Sequence, residues 1–170
     1  MSLRNLAWYI SLAITFFGFM MIEFYFTQEP SKSAPHGNDA FIPITILIPF
    51  LVLSLLITWT VGRKYFAIRP LKRAWVFLLI TIFILFVGIT GEYQLIERSL
   101  HALHGNWNNS DSVIYGKGAF NFYTNSWYFN ENSFLLIHLM AFLLGFFARN
   151  KEWQMDEEDK KSIAEEKTEG

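Results

Sequence analysis

The sequence predicts an all-α integral membrane protein built as a bundle of four transmembrane helices. Three observations carry the prediction. Apolar residues gather in four runs, each close to the length that crosses a ~30 Å hydrocarbon core at 1.5 Å per residue. Aromatic residues make up 18% of the chain, well above the proportion of soluble domains. The charges are segregated: residues 62–73 hold Arg63, Lys64, Arg69, Lys72 and Arg73 with no acid among them. Short basic loops stay on the cytoplasmic side, so that cluster orients the chain.

The first span is predicted over about residues 5–26. A cleaved signal peptide also begins basic and continues apolar, but this run is longer and richer in rings than a usual signal core. Residues 27–39 form a loop punctuated by Pro30, Pro35 and Gly37, with His36 expected in solvent. The second span covers about residues 40–61. Pro43 falls in its first turn, whereas Pro49 lies inside and is expected to kink the helix, leaving the Thr45 carbonyl in need of another partner. The basic loop follows, and then a third span over about 74–93.

Residues 94–131 form an outer loop of 35–40 residues between helices 3 and 4. Trp107, Tyr115, Phe120, Phe122, Tyr123, Trp127, Tyr128 and Phe129 are scattered there among Asn, Ser and Gly, a ring content that argues against disorder. These rings are expected to rest on the outer membrane interface. Residues 112–115 and 119–123 also have the pattern of two short strands, a small hairpin around Gly116 and Gly118. The fourth span, about 132–148, returns the chain to Arg149 and Lys151 inside. Residues 1–148 are thus the membrane domain, and 149–170 a polar cytoplasmic tail with an acidic run. An even number of spans leaves both termini in the cytoplasm.

The candidate membrane site consists of Glu23, Glu92 and His138. Ionisable groups at membrane depth are costly and normally turn into the bundle and pair. Thr81, Gly88 and Glu92 share one face of the third span, and Ala7, Ser11, Thr15 and Gly18 form a small-residue seam on the first. Glu23 lies about 100° from that seam. The plainer reading makes the two glutamates markers of the membrane boundary and His138 a polar bridge. Glu97, His101 and His104 form a second set with helical spacing suited to a divalent metal. That face lies nearly opposite Glu92 on an unbroken helix, so one site using both sets requires a break near Gly91.

The absent chemistries are informative. The chain has no cysteine, which excludes disulfides, thiolate metal sites and thiol nucleophiles. It has no nucleotide-binding glycine pattern, no zinc-protease motif and no serine nucleophile elbow. The basic loop is explained by orientation and anionic lipid, so no nucleic-acid partner is predicted. No cofactor is predicted beyond a divalent metal at one of the two sets. The function expected is that of a non-enzymatic accessory, sensory or immunity-like subunit. It would contact a protein partner or a second copy through helix seams and the aromatic loop, with Trp107, Trp127 and Tyr128 as anchors. The alternative is a metal-binding or proton-coupled site built from Glu23, Glu92 and His138. Size, basic loop and tail texture point to a bacterial plasma membrane.

Overall fold

The four apolar runs become four helices in the computed structural model, which describes residues 3–32 and 38–148. They are α1 (Leu3–Phe26), α2 (Phe41–Ala67), α3 (Leu71–Ala102) and α4 (Glu131–Phe147), with a 3₁₀ turn at Asn125–Trp127. Each lies in a segment long and apolar enough to cross a membrane. His36 and the tail from residue 149 onward lie outside the described residues.

The helices outlast their apolar stretches. α2 continues past residue 61 to Ala67 and α3 starts at Leu71, so the predicted basic loop shrinks to Ile68, Arg69 and Pro70. Lys and Arg are good helix formers, and hydrophobicity does not decide where backbone bonding stops. Proline does: Pro70 takes an extended ψ of 140° at the α3 N-cap. At its other end α3 runs through Gly91 to Ala102, which at 32 residues makes it roughly 48 Å long. Pro49 leaves α2 a continuous helix.

α4 is the centre of the bundle. It packs most extensively on α2, then on α3, and touches α1. At the basic end α2 and α4 meet backbone to backbone. A Cβ on Gly62 would collide with the Phe142 carbonyl, and one on Gly145 would fall 2.5 Å from the Gly62 carbonyl carbon. Beside this crossing, Phe66, Ala74, Leu78, Leu143 and Phe146 form one buried cluster joining α2, α3 and α4. The Arg63 guanidinium donates through Nε to the Ala148 carbonyl at 3.0 Å, placing a cation on the negative end of α4.

The outside of the bundle is apolar. Phe17, Ile42, Leu79, Phe83 and Phe86 are each more than 60% exposed. At about 25 cal/mol per Å², an apolar belt of this extent is strongly disfavoured in water. Polar side chains on it are bonded internally. Thr45, Thr60 and Thr90 donate to the carbonyls of Phe41, Leu56 and Phe86, one turn back.

The connection from α3 to α4 is a folded cap without a strand among its residues, which corrects the expected hairpin. Gly116 and Gly118 both have positive φ, and the chain around them folds into successive turns. Side chains take the backbone groups a ladder would need. Asn121 Oδ1 accepts from the Tyr123 amide, and the Ser112 hydroxyl contacts the carbonyls of Leu103 and Gly105. Leu103, Ile114, Tyr123 and Trp127 make the cap its own core, against Leu95, Ile96 and Leu100 of the α3 extension. Part of the ring content expected at an interface is therefore packed inside.

Replacing Gly145 with Ala is expected to destabilise the fold by about 1–3 kcal/mol, because only a backbone shift relieves the overlap. Gly91→Ala is expected to be neutral or stabilising by about 0.5–1 kcal/mol, since glycine is costly inside a helix. Its Cβ would meet nothing nearer than Asn132 at 3.9 Å. Denaturant titration of both variants in detergent checks the contrast.

Candidate functional site

Glu92 leaves α3 on the face that also carries Thr81 and Gly88, and all three turn toward the bundle. Thr81 is buried, and a Cβ on Gly88 would press on Leu136 of α4. The α4 N-terminus supplies what Glu92 binds. Asn130 Nδ2 donates to Glu92 Oε1 at 2.8 Å and Asn132 Nδ2 donates to Oε2 at 2.8 Å. Each amide uses its second hydrogen as well, Asn130 on the Ser126 carbonyl and Asn132 on the Gly88 carbonyl. Asn130 is also the N-cap of α4, and with Ser133 it closes a reciprocal capping box. A carboxylate here also complements the positive end of the α4 dipole.

Glu23 reaches the same end from α1. Its carboxylate lies within electrostatic reach of Glu131 and Glu92, the two acids at the α3–α4 junction. One of its oxygens, Oε2, is buried without a hydrogen-bond partner. At the end of α1 Asn125, fully buried, donates to the Phe26 carbonyl at 2.7 Å and exchanges amide hydrogen bonds with Asn38.

His138 belongs to a different layer. Seven residues separate it from Glu131, roughly 10 Å along the helix. Phe134 stacks against the imidazole with centroids 4.2 Å apart, and Phe19 packs on Phe134 in turn. These rings lie between the histidine and the carboxylates. Its Nδ1 is 2.8 Å from the Phe134 carbonyl, which can only accept, so that nitrogen carries the hydrogen. In the neutral ring Nε2 then accepts from Ser54 Oγ at 2.9 Å. Ser54 meets Thr15 at 3.4 Å, Thr15 donates to the Ser11 carbonyl, and Trp8 Nε1 donates to Thr58 at 2.9 Å. The seam of α1 is thus Ser11, Thr15 and Gly18, where a Cβ would overlap the Leu47 side chain of α2, flanked by Trp8, while Ala7 is exposed.

The remaining predicted groups separate further. Glu97 and His101 are exposed on the last turns of α3, and His104 lies beyond its end with φ of 60°. They line an open polar cleft of about 790 Å³ with Tyr93 and Asp111. Among the described residues, no three His, Asp or Glu side chains group so as to hold a metal ion. α3 has no break at Gly91, so this cleft and Glu92 stay on different faces. Of the aromatic anchors, Trp107 and Tyr128 are exposed, whereas Trp127 is 6% exposed and donates through Nε1 to Ser99 at 2.9 Å. Trp127 is a core residue of the cap.

The residues that organise these layers, Asn130, Asn132, Asn125, Asn38 and Ser54, were not among the sequence candidates. Two signals pointed to some of them. Asn130 and Ser133 have capping-box spacing before an apolar run, and Ser54 with Thr58 places hydroxyls one turn apart inside another. Comparison with protein-family models, with curated proteins and with solved structures gives no match.

Glu92→Gln turns a side-chain N–H₂ toward one of two amide donors. It is expected to destabilise the fold by about 1–3 kcal/mol. Glu97→Gln on the exposed end of the same helix should stay within about 0.5 kcal/mol of the parent. Unfolding midpoints of the two variants, measured side by side, check this.

Proposed function

We propose that the chain is a four-span protein of the bacterial plasma membrane that works through contacts, as a non-enzymatic accessory, sensory or immunity-like subunit. Its termini and the α2–α3 turn lie in the cytoplasm and the cap lies outside. The orientation is supported by the basic cluster at Arg63, Lys64, Arg69, Lys72 and Arg73, against only Lys32 and Lys117 in the other two connections and Arg98 in the α3 extension. The start of α1 and the end of α4 share that side: Trp8 bonds Thr58, and Arg63 bonds Ala148.

One observation carries the functional reading. Glu92 and His138 have protein partners for their hydrogen-bonding groups, while large apolar and aromatic surface is turned outward on α3 and on the rim of the cap. Trp107 and Tyr128 supply flat, amphipathic anchors on that rim, and a protein partner or a second copy is the kind of ligand they suit. Photo-crosslinking residues placed at 107 and 128 in cells are expected to give a discrete adduct, and one at Trp127 none. Absence of adducts from both rim positions would reject the reading. A membrane-impermeant maleimide should label intact cells through a cysteine at Asn108 and not through one at Lys72, a clean test because the chain has no native cysteine.

A second reading rests on the buried, unpartnered Oε2 of Glu23 beside Glu131 and Glu92. The carboxylates of Glu131 and Glu92 within electrostatic reach of that oxygen suit a proton held at Glu23, as in a coupled transporter. His138 is set apart from them by its ring layer, so this version uses the glutamates alone. Equal proton and cation flux in vesicles with wild-type protein, with Glu23→Gln and without protein would dismiss it.

A further inference from the structure

On the lipid-facing side of α2 and α4 lies an apolar groove of about 430 Å³. Leu55, Leu56 and Trp59 form one wall, and Met140, Ala141 and Leu144 the other. Toward the basic end it is closed rather than open. Beyond Trp59 and Leu144 the two helices come into backbone contact at Gly62 and Gly145. Arg63 then bridges them through its bond to the Ala148 carbonyl. Its guanidinium carbon lies 4.9 Å from the centre of the Trp59 ring, so a cation stands at the blind end of the slot. Lys64, next to it, is exposed. No acid occurs in α2, and the one acid of α4, Glu131, is at the opposite end of the bundle.

We infer that this groove holds an acyl chain of an anionic glycerophospholipid whose phosphate is drawn to Arg63 and Lys64. The inference rests on the membrane reading above. An apolar slot in contact with hydrocarbon is filled by hydrocarbon of some kind, and the charge at its end selects the kind. The carbonyl end of the chain rests at the Gly62–Gly145 crossing, and the chain runs along the slot between Leu56 and Met140, away from the basic end. The headgroup then sits at the level where Trp59 marks the interface and the basic residues begin. Arg63 has two roles in this arrangement, capping α4 and fixing the headgroup, and Trp59 supports its guanidinium by a cation–π contact.

The test uses full-length protein purified from membranes and examined by native mass spectrometry. Phosphatidylglycerol and phosphatidylcholine with identical chains are added in competition. Wild-type protein is expected to retain phosphatidylglycerol about fivefold or more over phosphatidylcholine, the preference contributed by one basic residue near a membrane surface. Lys64→Gln, on the surface and away from the packing, is expected to reduce that preference about fivefold. Ala141→Phe fills the slot and is expected to lose both lipids. Equal retention of the two lipids by the wild type, or unchanged retention in both variants, overturns the proposal. So does a dimer that forms in place of lipid retention and is lost in Ala141→Phe, since a second copy would then occupy the groove. Alkaline carbonate extraction of the same membranes separates the two levels of inference. Release of the protein rejects the membrane reading and this one with it, whereas an embedded protein without lipid preference rejects only the lipid site.

Discussion

The attachment of α3 depends on Glu92 and the two asparagine amides that hold it. α3 is the longest helix and the least buried, and its outward face is almost wholly apolar. On the membrane reading, apolar packing gives such a helix little reason to prefer α4 over lipid, because both are hydrocarbon. A polar contact with full valence is different. Both oxygens of Glu92 and all four hydrogens of Asn130 and Asn132 have partners across or within the junction. Sliding α3 by one turn along α4 would strand a carboxylate and two amides at once. The capping box adds a second constraint, since the residue that holds Glu92 also starts α4.

Below that junction the interior is layered by chemistry. The carboxylates and asparagines lie nearest the cap, followed by the rings of Phe19, Phe129 and Phe134, and then by the hydroxyl–imidazole layer of Thr15, Ser54 and His138. The glycine crossing and the Phe66 cluster close the basic end. The ring layer keeps these two polar levels apart. Helices fixed at two polar levels have both depth and rotation set, which hydrocarbon contacts alone leave loosely defined.

The four helices were legible because a run of apolar residues is a direct measure of what a bilayer tolerates. Their ends were less so. Arg63 and Lys64 read as loop because they are charged, yet they continue α2 for another turn, and only Pro70 marks a true stop. The face of α3 bearing Thr81, Gly88 and Glu92 was readable from spacing, and the structure brings it to α4. That Glu92 and His138 occupy separate layers was not, since residue depth alone says nothing about the rings between them. The cap was hardest. Trp127 at a membrane interface and Trp127 in a buried core have the same local sequence, and the distinction rests on contacts with Ser99 and Leu95 that no local pattern encodes.

The cap is bound to the connection between α1 and α2 as well as to α3. Asn125 bonds Phe26 and Asn38, Tyr123 donates its hydroxyl to the Lys32 carbonyl, and the Gln28 amide donates to Phe122. These partners are 87 to 99 residues apart for the side-chain bonds. In order of synthesis, the first hairpin emerges long before the segment that clasps it. The clasp therefore records that the earlier pair has arrived and is correctly spaced. Asn125, bonded to both Phe26 and Asn38, stands five residues before Asn130, so one short segment ties the first hairpin to the residue that starts the last helix and holds the third.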